Sequence, residues 1–97
     1  MNFEIQYIGK LNSNTGNIDA TIILENGKRF SATFFTIENI NEIINSYKCT
    51  GECLSGKYFW ASDLIIVNSL DQETIYRTIR DIIDNNEINF ACSEITQ

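Results

Sequence analysis

The side chains able to do chemistry in this chain crowd into one stretch. Positions 51–63 read GECLSGKYFWASD and bring together Glu52, Cys53, Lys57, Asp63 and the only tryptophan, Trp60; Cys49 stands just before them and Cys92 much later. Thiolates bind metals and attack electrophiles, carboxylates move protons, and a glycine-rich loop with a lysine can cradle phosphate. Each of these activities needs particular co-residues at a particular spacing, so each can be tested against the sequence.

Cys49 and Cys53 have C-x-x-x-C spacing, but a structural zinc site needs four ligands and only Cys92 and a carboxylate are left to complete one. The redox pair with a known mechanism is C-x-x-C, one residue shorter. An odd number of cysteines with no export signal argues for reduced thiols that fill space as small hydrophobes. Gly51 to Lys57 match G-x-x-x-x-G-K, yet Tyr58 occupies the place of the magnesium-binding hydroxyl. The local pattern is also helix, loop, strand instead of strand, loop, helix, so the phosphate would lack its helix N-terminus. Glu52 and Asp63 could act as an acid/base pair only within a cleft, and no nucleophile, base and orienting group are readable together. The chain has no histidine, which removes the usual proton-transfer residue near neutral pH. No catalytic residue, cofactor or metal site is therefore expected.

Three residues in the block remain notable. Asp63 falls among Phe59, Trp60, Leu64 and Ile65, where a carboxylate must be paired, must cap backbone N–H groups, or must emerge at a bulge. Its plain reading is a turn residue, and its functional reading is a partner contact. Tyr58 and Trp60 are core aromatics by default, but they are also the residue types that concentrate binding energy at interfaces. Together with the nearby carboxylate Glu52, these residues are the candidate partner-binding set: Glu52, Tyr58, Trp60 and Asp63.

The elements that would position this block follow from periodicity. Phe3, Ile5 and Tyr7 alternate with polar neighbours, predicting a strand over 2–8. The Asn, Ser, Thr and Gly cluster over 12–17 predicts a loop. Strands over 17–25 and 28–35 flank Asn26-Gly27, the sequence of a two-residue hairpin turn. That turn would set Glu25 opposite Lys28 and Ile23 opposite Phe30, leaving Ile18, Ile22, Leu24 and Phe35 on a second, apolar face. Thr36 is placed to cap a helix over 37–48 whose stripe of Ile37, Ile40, Ile43, Ile44 and Tyr47 reads as core. The run 58–67 reads as one strand buried on both faces, or as YFWA and LIIV divided by a bulge or tight hairpin at Ser62-Asp63. Asp71 caps a second helix with Ile75, Ile79, Ile82 and Ile83 inward, and Ile88, Phe90 and Cys92 alternate as a short final edge strand. The result is a single α+β domain: a mostly antiparallel sheet of four to five strands with two helices on one face, in the order β-β-β-α-β-α.

At 97 residues with 43% hydrophobic content, the chain can build one core. No apolar run reaches the roughly 20 residues that span a bilayer, and the N-terminus lacks a basic-then-apolar signal layout, so a cytoplasmic protein with no membrane partner is expected. The net charge of −6 argues against direct nucleic-acid binding and suits either solubility alone or a basic protein partner. The segment Gly51-Glu52-Cys53, Gly56-Lys57-Tyr58-Phe59-Trp60-Ala61-Ser62-Asp63 and Ile65-Ile66-Val67 resembles one found in small acidic bacterial immunity proteins, in particular those of contact-dependent growth inhibition, and the similarity covers about residues 20–85. That resemblance implies an antidote that binds and blocks a cognate toxin domain. The alternatives are a small enzyme or ligand-binding domain with a pocket near Cys53 and Asp63, or a homodimeric structural or regulatory protein joined through the hairpin's second face.

Overall fold

The computed structural model describes residues 1–11 and 16–96; most of the loop expected over 12–17 lies outside them. The fold is α+β. Three strands, β1 (Phe3–Ile8), β2 (Asn17–Leu24) and β3 (Arg29–Phe35), form an antiparallel meander. Helix α1 (Ile37–Thr50) and a single tight turn, α2 (Glu52–Gly56), lead to β4 (Leu64–Ile66), which pairs in parallel with the C-terminal half of β3. Helix α3 (Gln72–Asp84) and a short turn α4 (Ile88–Ala91) precede β5 (Ser93–Glu94), which pairs with the N-terminal end of β3. Two short strands thus share one edge of β3, while β1 forms the opposite edge.

The β2–β3 hairpin corrects the expected register by one residue. Leu24 N–H donates to Lys28 C=O at 2.8 Å and Gly27 N–H donates to Leu24 C=O at 2.9 Å, so the loop has three residues, Glu25-Asn26-Gly27. Gly27 takes the left-handed conformation (φ 90), and the Asn26 carboxamide oxygen accepts from Lys28 N–H. This is the three-residue alternative in which glycine's positive φ closes the loop. A one-residue slip moves every side chain to the other face. Ile22 therefore lies opposite Phe30, Ala20 opposite Ala32 and Ile18 opposite Phe34, all on the core face. The supposed apolar second face largely disappears: it carries Asp19, Thr21 and Ile23 beside Arg29, Ser31 and Thr33, with Thr33 donating to the Asp19 carboxylate at 2.9 Å.

Helix α3 closes the core. Its Ile75 and Ile79 are fully buried and Ile83 nearly so, against Ile22, Phe30, Phe34 and Leu70. Asp71 caps it as expected, accepting from Thr74 N–H at 2.8 Å. The Ser69 hydroxyl, followed by these Thr74 donors, holds the Asp71 carboxyl below its ordinary range. Ile88 and Cys92 are buried at the same core, but 88–91 form a helical turn and the final strand begins only at Ser93, leaving Phe90 90% exposed.

Helix α1 is the second correction. Thr36 caps it, accepting from Asn39 N–H, but none of its residues is buried and its isoleucines stand outside the core cluster. Ile40, Ile43, Ile44 and Tyr47 are half-exposed and Ile37 is exposed. Spacing predicts an apolar stripe equally well whether a helix lies on the main core or on a smaller satellite cluster.

Candidate functional site

Residues 37–66 form an arm that leaves β3, runs along α1, reverses and returns to the sheet at β4. The reversal is built from positive-φ residues. Gly51 ends α1 in the left-handed conformation (φ 89), with its N–H donating to Tyr47 C=O at 2.8 Å. After Glu52 the chain is left-handed again through Cys53 (φ 49, ψ 52), Leu54 (φ 53, ψ 47) and Ser55 (φ 57, ψ 42) to Gly56 (φ 82). Ser55 N–H donates to Gly51 C=O at 3.2 Å and Lys57 N–H to Cys53 C=O at 3.0 Å, so this is one left-handed helical turn. Its handedness costs non-glycine residues about 1–2 kcal/mol each. Gly56 is required for a second reason: a β-carbon there would lie 2.6 Å from the Ile44 carbonyl oxygen. The turn thus packs directly on the backbone of α1. Burial, then the neighbouring Cys53 and Glu52, push the Tyr47 hydroxyl above its ordinary pKa.

From Lys57 the chain returns without a ladder until the turn at Ser62-Asp63 leads into β4. The expected strand over 58–67 is therefore only Leu64–Ile66: residues 58–61 form no strand, so Ser62-Asp63 are a turn into β4 and neither a bulge nor a hairpin between two strands. Phe59 packs edge-on against Phe35, ring centroids 5.2 Å apart, which buries Phe35 on the sheet face opposite the core. This contact anchors the arm. Its neighbours are not buried as expected: Trp60 is 69% exposed and Tyr58 49%, and Leu54 on the left-handed turn is 68% exposed. Ile37 and Ile66 are also exposed and line, with Glu38 and Asn68, a cleft of about 440 Å³ where the arm meets the sheet.

The four candidate contact residues separate into two groups. Glu52, Tyr58 and Trp60 present their side chains to solvent on the arm. Asp63 is occupied structurally. It is left-handed (φ 56), its carbonyl accepts from Thr33 N–H at 3.0 Å, and its carboxylate accepts from the Ser93 hydroxyl at 2.7 Å. It bridges the seam where β4 and β5 share the edge of β3. The expected turn role is present, with a side-chain partner in place of backbone N–H groups.

All three cysteines are free thiols, Cys49 exposed, Cys53 half-buried and Cys92 buried. Burial, helped by the Asp63 charge, pushes the Cys92 thiol up to about 11. Among the described residues no group of cysteine and acidic side chains gathers with metal-ligating geometry. A cleft of about 410 Å³ lies at the hairpin end between Leu24, Lys28, Ile83 and Asn89, and a groove follows β1 between Ile5, Tyr7, Gln72 and Tyr76. Neither these nor the arm cleft is lined by Cys53 or Asp63. No described helix is long and apolar enough to cross a membrane.

Residue types alone missed the features that shape this site: the left-handed turn, the Phe35–Phe59 anchor, and exposure of Leu54, Ile37 and Ile66. The two glycines bracketing four residues were the available signal, since both need positive φ. No protein-family model matches the chain, and neither the curated proteins nor the solved structures contain a significant match.

Proposed function

We propose that this chain is a protein-binding module that acts through its arm, and that it serves as a cytoplasmic immunity protein occluding a basic toxin domain. The observation that carries the reading is the exposure of Trp60, Tyr58 and Leu54 on an arm outside the core. Large apolar side chains left exposed along one arm favour a partner, and Trp and Tyr are the residue types that dominate interface energetics. A strained backbone segment supports the same reading, because such segments persist where function selects them. The net charge of −6 suits capture of a basic partner by electrostatic steering. A pocket enzyme finds less support, since the clefts described lie away from Cys53 and Asp63.

The test is direct titration against the toxin domain encoded beside the gene. Trp60→Ala should weaken binding by about 30-fold or more, the loss typical of an interface anchor. Glu52→Lys should slow association, most clearly at low salt. Binding unchanged in both variants would overturn the assignment of the arm.

A further inference from the structure

Among the described residues, strand β1 leaves one sheet edge unpaired. The carbonyl of Asn2 accepts from Glu25 N–H at 3.0 Å, continuing the β1–β2 register. Antiparallel pairing alternates between hydrogen-bonded and non-bonded residues. The backbone groups of Glu4, Gln6 and Ile8 therefore face β2, and those of Phe3, Ile5 and Tyr7 face outward. Among the described residues β1 pairs with β2 alone. Proteins usually protect such edges with proline, charged side chains or a bulge; β1 contains no proline or lysine, its one charge is Glu4, and it pairs without interruption from Phe3 to Ile8. Beside the edge runs the groove lined by Ile5, Tyr7, Gln72, Glu73 and Tyr76, with Tyr76 46% exposed and stacked on Phe3 at 4.8 Å.

We propose that this edge pairs with β1 of a second copy of the chain, joining two sheets across a twofold axis at Ile5. The strand is self-complementary in that arrangement. Ile5 lies opposite Ile5 of the second copy, Phe3 opposite Tyr7, and Glu4 opposite Gln6, so the outward groups of three residues on each strand form about six hydrogen bonds. Shifting the axis by one residue toward the N-terminus sets Glu4 against Glu4, a like-charge pair that disfavours that register. A shift the other way, to Gln6, keeps the overlap but leaves only Ile5 and Tyr7 of the outward-facing residues within it, about four hydrogen bonds. The twofold pairing is isologous and closed, which limits assembly to a dimer. Both grooves flank the joint and would cover the exposed faces of Tyr76. This surface is separate from the arm, and its failure would leave the arm proposal standing.

Sedimentation equilibrium across micromolar to millimolar concentration, with hydrogen exchange, tests the pairing. Wild type should dimerise, and the Ile5 and Tyr7 amides should gain protection as concentration rises. Gln6 is exposed, so charge changes there leave the monomer intact. Gln6→Lys, facing Glu4, should tighten the dimer and Gln6→Glu should loosen it, each by about two- to thirtyfold over two symmetric pairs. Ile5→Pro removes an N–H that the monomer does not use, so it should abolish dimerisation while circular dichroism still reports a folded chain. Because each copy carries −6, association should strengthen with salt. A chain monomeric throughout that range would overturn the proposal. So would a dimer indifferent to the Gln6 charge, or edge protection appearing only when a different protein is added.

Discussion

Replacing Leu54 by glycine should stabilise this protein, the reverse of the effect in an ordinary helix. Leu54 sits at φ 53, ψ 47 in the left-handed turn and is 68% exposed, so truncating it forfeits little packing. The left-handed conformation costs a residue with a β-carbon about 1–2 kcal/mol. Glycine removes that cost but adds roughly 0.5–1 kcal/mol through the greater freedom of the unfolded chain. The balance is a gain of about 0.5–1 kcal/mol, equivalent to a rise in Tm of roughly 3–6 °C for a domain of this size. Ser55→Gly, at φ 57, should behave alike, and the two together should approach additivity. The control is Glu42→Gly, exposed on right-handed α1, which should cost about 0.5–1 kcal/mol. Urea unfolding followed by Trp60 fluorescence reports the arm, and far-UV circular dichroism reports the whole domain. A loss at Leu54→Gly equal to that at Glu42→Gly would refute the left-handed turn.

Four further outcomes follow from the same geometry. Gly51→Ala and Gly56→Ala both place a β-carbon at positive φ, but only the latter meets the Ile44 carbonyl, at 2.6 Å; it should cost about 1–2 kcal/mol more, and equal midpoints in urea would contradict the α1 contact. Trp60→Ala should leave stability within about 0.5 kcal/mol of wild type, whereas Phe34→Ala, fully buried, should cost about 3–5 kcal/mol by the same measurement. Ser93→Ala removes the hydroxyl that Asp63 accepts from and should cost about 0.5–1.5 kcal/mol, read as faster exchange of the Thr33 amide at the seam. Cys92, raised from 9.0 to about 11, favours the folded state through its neutral thiol: that contribution is complete below pH 9 and disappears as pH rises through 11. Thiol labelling at neutral pH should modify Cys49 and spare Cys92, and rapid labelling of Cys92 would contradict its burial.

The local elements were legible because their causes are local. Thr36 and Asp71 cap helices through bonds three residues away, and the Ile75, Ile79, Ile83 stripe follows from helical spacing alone. So did the α+β class and the mostly antiparallel sheet. Asn26-Gly27 correctly marked a hairpin, but two- and three-residue loops both use glycine at positive φ, and the choice between them rests on where the flanking strands bury their side chains. Ile18, Ile22 and Leu24 settle it collectively: only the three-residue loop turns all of them toward Phe30 and Phe34.

What only the tertiary structure decided concerns the residues between β3 and β4. An isoleucine stripe and an aromatic run state that surface is apolar, not what covers it. Phe59 finds Phe35 and is half-buried, while Trp60, its neighbour in sequence, finds nothing comparable and stays exposed. The left-handed turn likewise arises because Gly56 must approach the backbone of α1, a contact between residues twelve apart that no local propensity favours. The sequence by itself determined the first three strands, the two long helices and the residues that cap them, but not the irregular return over 58–63 or the helical turn at Ile88–Ala91. The fold determined which apolar side chains would be buried in the core and which would be left exposed, because burial is a property of neighbours that the chain acquires only on closing.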